Sequence, residues 1–244
     1  MEFPKVTTII TTYNRFDYFL NALNSVLDQE YPNLEVIVIN DGSDDERYKT
    51  YNYDERVQIY HIEKSSTPDW EGSRQPLRNI GAEKSTGKYL AFLDDDDIWL
   101  KNKLKLQIKA LEESPFKMSS TEGLYGEGVF DKNVKYPLYN KVRWFKYLKK
   151  QYKGTNYLKG GRFKEKSFPK IWDYDFIKIH NCIILSSVVI EKDTFIKLGG
   201  FRGLPKLSDY DCWLGILQLT SSIYIDEPLF YYDNNHGDGR LYSK

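Results

Sequence analysis

Four consecutive carboxylates, Asp94-Asp95-Asp96-Asp97, close a short apolar run from Tyr89 to Leu93. Adjacent like charges repel one another, and folding alone has no use for four of them in a row. A divalent cation or a strongly basic ligand turns that repulsion into binding energy, because hard cations take carboxylate oxygens as ligands. The competing reading is an acidic, solvated helix start, since Asp is favoured at N-caps and in first turns. A helix is indeed expected just beyond, over Lys101 to Glu113.

The elements that must position this run argue for the first reading. Val6 to Thr11 is rich in β-branched residues and is expected as a buried strand. Phe16, Phe19, Leu20, Leu23, Val26 and Leu27 then share one helical face. Leu34 to Ile39 is a second apolar strand, so strand, helix and strand form a right-handed crossover unit with a parallel pair. A third strand is expected over Val57 to His61, then a polar loop over 63–73 and a helix from about Gln75 to Lys84 carrying Arg78. Tyr89 to Leu93 is the fourth strand. Ligands of open parallel sheets bind beyond the carboxyl ends of the strands. Thr11 to Asn14, Asn40 to Ser43 and Asp94 to Asp97 all fall there, on one rim of one sheet.

Beyond Glu113 the pattern loosens. One or two weak strands are expected within 119–130, and a further strand at about Ile183 to Ile190. A helix from about Lys192 to Leu198 and a glycine turn at Gly199–Gly203 come next, and Leu207 to Asp211 then leads into a helix with Trp213, Leu214, Ile216, Leu217 and Leu219. Two short strands around Ile223 and Tyr231 precede a polar tail with His236. Between Lys141 and Lys170 there are eleven Lys or Arg and one acid, interleaved with aromatic residues. The fold class that results is α/β, a Rossmann-like, mostly parallel sheet flanked by helices.

Composition narrows the functions. The 244 residues suffice for one large domain, and the 35 basic and 35 acidic residues cancel, so a nucleic-acid partner is not expected. The two cysteines have neither metal-ligand spacing nor a disulfide-dense context. No segment has the length of a membrane span or the make-up of a signal peptide, which predicts a soluble, cytoplasmic protein. Neither GxGxxG after the first strand nor GxxxxGK[ST] occurs. A nucleotide on this rim would need its phosphate charge neutralised by other means, and a carboxylate-held Mg2+ or Mn2+ does so.

The segments TTYN (11–14), EVIVINDGSDD (35–45), RNIGAEKSTGKYLAFLDDDDIW (78–99) and LGGFR with SDYDCWL (198–214), in this order and spacing, resemble a family 2 glycosyltransferase with the GT-A fold. The likeness covers about the first 115 residues and resumes from about 180 to 232. It implies one GT-A domain over 1–244, with a nucleotide-sugar-binding half at 1–115. An acceptor-binding half would follow at 116–244, containing the basic aromatic insertion of about 141–170. It further implies inverting transfer from a nucleotide-sugar, usually with Mn2+ or Mg2+.

Residue by residue, the resemblance places Thr11 and Tyr13 near the nucleoside, with Asp41 reading the base, where a carboxylate suits the imide N–H of uracil. Arg78 falls near the base or diphosphate. Asp94, Asp95 and Asp96 cover the DXD site, Asp95 facing the ribose and Asp96 the metal, with a register open by one position. Asp209 matches the catalytic base that takes the proton of the acceptor hydroxyl.

Each assignment has a plainer competitor: a turn at Asp41-Gly42-Ser43, an N-cap at Asp209, a solvated helix residue at Arg78. His236 would complete the metal site or be a solvated terminal histidine; His180 and Trp172 are candidates to line an acceptor site. The 141–170 stretch admits an acceptor-side flap, a peripheral membrane contact or a solvated insertion. The acceptor class, whether glycan, lipid-linked or protein, is open. A catalytically silent sugar-nucleotide or glycan-binding module and a sugar-nucleotide pyrophosphorylase are the alternative functions.

Overall fold

A computed structural model of the chain describes residues 3–63, 75–153, 167–204 and 207–235. Within these, β1 (Val6–Thr12), α1 (Phe16–Leu27), β2 (Leu34–Asp41), a single turn α2 (Arg47–Thr50) and β3 (Val57–Ile62) come first. They are followed by α3 (Gln75–Lys84), β4 (Tyr89–Asp94), β5 (Ile98–Trp99), α4 (Lys103–Glu112) and β6 (Met118–Gly126). Next come α5 (Tyr139–Arg143), α6 (Phe145–Gln151), β7 (Ile171–Trp172), α7 (Tyr174–Ile177) and a 3-10 turn at Leu185–Ser187. The last elements are β8 (Val189–Glu191), α8 (Lys192–Leu198), α9 (Ser208–Ile216) and β9 (Ser222–Asp233).

All nine strands join one sheet in the order β3-β2-β1-β4-β8-β6-β9-β5, with β7 also pairing β9. β3, β2, β1 and β4 run parallel, whereas β8 is antiparallel to both β4 and β6. The chain leaves β1 toward β2 and β3, then crosses back to β4 on the other side of β1. That reversal opens a crevice at the carboxyl ends of the strands. Alternation along β1 feeds both faces: Ile10 packs with Phe19, Leu23 and Val26 of α1, and Ile9 packs on the opposite face with Ala82 of α3 and Phe92.

Four expectations from sequence need correction. The weak strands within 119–130 are one nine-residue strand, β6, paired with β8 and β9 deep in the sheet. Its pattern is hidden by register shifts on both sides of Glu122 and by Gly123, where a Cβ would lie 2.4 Å from the Phe230 ring. The strand expected over 183–190 is instead the 3-10 turn followed by the short β8. There Ser187 donates both its backbone N–H (3.0 Å) and its hydroxyl (2.6 Å) to the carbonyl of Ile184. The two short terminal strands are one twelve-residue strand, β9, which absorbs Pro228 at a register shift. Trp172 is also not a sugar platform. It is fully buried, stacks on Tyr224 with ring centroids 4.0 Å apart, and donates its indole N–H to Pro169.

Candidate active site

Register brings the three polar clusters together. Thr11 lies opposite Asp94 on one side, Thr12 lies opposite Asn40 on the other, and Asp41 ends β2 beside Ile62. The loops after β1 and β2 are stitched to each other. Asn14 takes a left-handed conformation (φ 48°), donates its backbone N–H to Ser43 Oγ (2.9 Å) and accepts from the Asp44 N–H at its side-chain oxygen (2.9 Å). Ser43 N–H is held in turn by the Asn40 side chain (3.1 Å). Thr11 is buried, Tyr13 is half-buried at the rim, and the Tyr48 hydroxyl bonds Thr12 Oγ1 (2.7 Å) and accepts from the Arg15 N–H (3.2 Å).

The four aspartates have four different fates. A backbone hydrogen bond from Asp97 N–H to the Asp94 carbonyl (3.1 Å) closes them into a turn. Asp94 forms an ion pair with the buried Arg78 of α3. Asp95 is buried in a two-point ion pair with Arg15, and Asp96 accepts from Arg15 Nη1 at 3.0 Å. Asp97 is fully buried, accepting from the Ser186 hydroxyl and from the Asp233 N–H (3.0 Å). Burial, and then the neighbouring charges of Asp96 and Asp94, hold its carboxyl well above the usual carboxylate range. Burial alone would lower the affinity of Arg15 for its proton, but the charges of Asp95 and Asp96 outweigh it and keep the guanidinium firmly ionised.

One oxygen each from Asp94, Asp96 and Asp97 lies within 4.8 Å of the others. Arg78 and Arg15 offset the charges of Asp94 and Asp96, and a proton on Asp97 or a cation among the three would relieve the repulsion that remains. An all-oxygen set of this kind suits hard ions, so the residues present fit Mg2+ or Mn2+.

Asp209, from the other half of the chain, lies within electrostatic reach of Asp94 and Arg78. It is the second residue of α9, which starts from a left-handed Leu207 (φ 58°). Burial pushes its carboxyl up and the Asp94 charge adds to the rise, while the Tyr210 N–H, a 3.4 Å hydrogen bond from Asn181 and the Arg78 charge oppose it. Asp209 thus shares one electrostatic field with the Arg78–Asp94 pair. Asp211 points to a separate pair with Arg202 (Nε to Oδ2, 2.7 Å). Asn79, next to Arg78, fixes the approach of α9. Its amide donates to the Phe201 carbonyl (2.8 Å) and accepts from the Phe201 N–H (2.9 Å). Gly200, at φ 73°, leaves room for that amide, since a Cβ there would lie 2.4 Å from its oxygen.

His180 packs on Trp144 (centroids 3.9 Å) and Tyr147, and burial lowers the basicity of its imidazole. His236 lies outside the described residues. Arg15, Asn79, Asn181 and Ser186 were not marked as site residues by sequence reasoning. Arg15 had one signal: a cation at a helix N-cap opposes the helix dipole, so another partner must hold it there.

Solved structures share this open, mostly parallel α/β sheet. The chain superimposes on Staphylococcus aureus TarS 1-349 in complex with UDP-GlcNAc with TM-score 0.64 at 17% identity, over 98% of this chain and 61% of that one. It superimposes on the mannosyltransferase PcManGT from Pyrobaculum calidifontis, in complex with GDP-Man and Mn2+, with TM-score 0.63 at 17% identity, covering 95% and 57% of the two chains. The family model described as Glycosyl transferase family 2 matches residues 7–164, and the chain belongs to that family. An uncharacterized glycosyltransferase of Rickettsia bellii is 43% identical over 135 residues, which is 51% of this chain and 19% of the relative. The UDP-Glc:alpha-D-GlcNAc-diphosphoundecaprenol beta-1,3-glucosyltransferase WfgD of Escherichia coli is 33% identical over 108 residues, 43% of this chain and 40% of that one. The chain therefore spans less than half the length of either relative.

Proposed function

We propose that this glycosyltransferase moves a sugar, with inversion, from a UDP-sugar to an acceptor hydroxyl, using a divalent metal at the aspartate turn. The observation that supports the reading is that the buried Asp209 lies within electrostatic reach of the Arg78–Asp94 pair. Support for the donor comes from WfgD, whose name specifies UDP-Glc, and from the UDP-GlcNAc complex of TarS. The Mn2+ complex of PcManGT supports the metal.

In this reading Asp41, at the end of β2, accepts from the base, and Thr11 and Tyr13 border the nucleoside. Asp94, Asp96 and Asp97 would hold Mn2+ or Mg2+, and Asp95, paired with Arg15, would face the ribose. When bound, the ion offsets the diphosphate charge and the charge that grows on the leaving oxygen. Arg78 keeps Asp94 oriented and adds a positive charge beside the diphosphate. Asp209 takes the proton of the acceptor hydroxyl as that oxygen attacks the anomeric carbon, and the nucleoside diphosphate departs from the opposite face. Residues 1–115 would carry the donor and 116–244 the acceptor, within one domain. Among the described residues no helix is long and apolar enough to cross a membrane.

A thermal-shift screen of UDP, GDP and their sugars, with and without Mn2+, tests the reading, since ligands that bind the native state raise its apparent stability. A shift with UDP-sugars that requires metal supports it. Metal-independent shifts, or none with any nucleotide, would contradict it.

A further inference from the structure

The helix pair α5–α6 carries a charge distribution that the proposed chemistry leaves unused. From Lys132 to Lys153 the sequence has eight Lys or Arg and no Asp or Glu, in a chain whose total charge is balanced. Lys141 pairs with Asp226 at 2.9 Å. Arg143, Lys146, Lys149 and Lys150 have no carboxylate within ion-pair distance among the described residues.

The arrangement on α6 is one-sided. Leu148 and Tyr152 are fully buried and Phe145 packs against the same core, at offsets of three and seven that define the inner face. Lys146, Tyr147 and Lys150 occupy the opposite, exposed face, with Val142 and Arg143 exposed at the end of α5. Val142 is 58% and Tyr147 43% exposed, both large for apolar side chains set among cations. The Arg143 guanidinium rests over the rings of Tyr125 (5.2 Å) and Tyr139 (5.5 Å), which hold it at the surface.

Like charges at i and i+4, as at Lys146 and Lys150, weaken a helix that is already too short to be stable alone. A solvated helix would relieve this with interspersed acids. The same pattern is favourable against a negatively charged surface, where clustered Lys and Arg draw the chain in and an exposed Tyr and aliphatic side chain settle at headgroup level. We infer that the outer face of α5–α6, centred on Arg143, Lys146 and Lys150, docks the protein on an anionic lipid surface.

The inner side of the same helices lies near the proposed base. Tyr139 of α5 lies within electrostatic reach of Asp209, and Trp144 packs on His180, whose neighbour Asn181 bonds Asp209. Docking therefore presents the Asp209 side of the crevice to the lipid, a consequence that rests on the proposed transfer reaction, whereas docking itself does not.

Flotation with phosphatidylcholine vesicles, alone or mixed with phosphatidylglycerol, tests the inference without donor or acceptor. The whole chain is expected to float with the mixed vesicles only. The K146E/K150E double variant should lose binding by about tenfold or more. A K105E/K109E double variant on α4, with the same charge change at exposed positions, should bind as the parent does. Matched thermal unfolding of the variants shows that folding is intact. Negligible or equal binding to the two vesicle types would overturn the inference. So would equal losses in the two double variants.

Discussion

Asn79 and Phe201, 122 residues apart, are joined by two hydrogen bonds in which the Asn79 amide both donates to and accepts from the Phe201 backbone. The amide takes the place of a neighbouring strand for one residue. It ties the helix that carries Arg78 to the glycine turn that leads into α9. Losing it leaves two backbone groups without their partners, at a cost of about 1–3 kcal/mol. Asn79→Ala should therefore lower the melting temperature by several degrees. Because α9 is released with the turn, turnover should fall more than donor affinity. Unchanged turnover in a destabilised variant would show that the clamp is structural only.

Asp209 provides a pH signature. Its carboxyl is raised chiefly by burial, so it becomes ionised only above the ordinary carboxylate value of about 4. A base must be ionised to take a proton, so kcat/KM should fall on its acid side at a pH above that value. Asp209→Asn should lose at least about a hundredfold in turnover while donor binding stays within a few fold. Donor affinity that falls with turnover, or an acid limb at the ordinary carboxylate value, would assign Asp209 another role.

Arg15 holds Asp95 and Asp96 from below. Arg15→Met removes one partner of a buried ion pair, which typically costs about 3–5 kcal/mol. The variant should gain more thermal stability from Mn2+ than the parent does, because the ion then replaces counter-charge that Arg15 gave to Asp96. Equal metal-induced shifts in the two proteins would separate Arg15 from the metal site.

Glu35 sets an acid limit on stability. Burial pushes its carboxyl up, but hydrogen bonds from Thr7, the Thr86 N–H and the Thr86 hydroxyl outweigh that and leave it below its ordinary value. A depressed acid contributes stability that is present above its unfolded value of about 4.3 and lost as pH falls toward the folded value. Melting temperatures of Glu35→Gln should be lower than those of the parent at neutral pH and approach them in acid. A constant difference across this range would contradict the assignment.

The parallel half of the fold was legible because its strands are buried on both faces and end in polar clusters, so Val6–Thr12, Leu34–Asp41 and Tyr89–Asp94 stand out by composition alone. β6 did not, because a ring over Gly123 and the shifts around Glu122 erase its alternation. Residues 183–190 have the apolar content of a strand, and the bonds from Ser187 to Ile184 and from Val188 to Leu185 reveal a turn. Within the aspartate run the four residues are identical in type. Which of them faces the crevice is set by Arg15, Arg78 and Ser186, which lie 80, 16 and 89 residues from their partners Asp95, Asp94 and Asp97.

Calorimetric titration of UDP into the parent and into Asp96→Ala, each with Mn2+ and with EDTA, tests the central claim most directly. Binding in the parent with Mn2+ alone, lost in the variant and in EDTA, is the predicted result. Equal UDP binding in the parent and the variant, with or without the ion, would contradict the account.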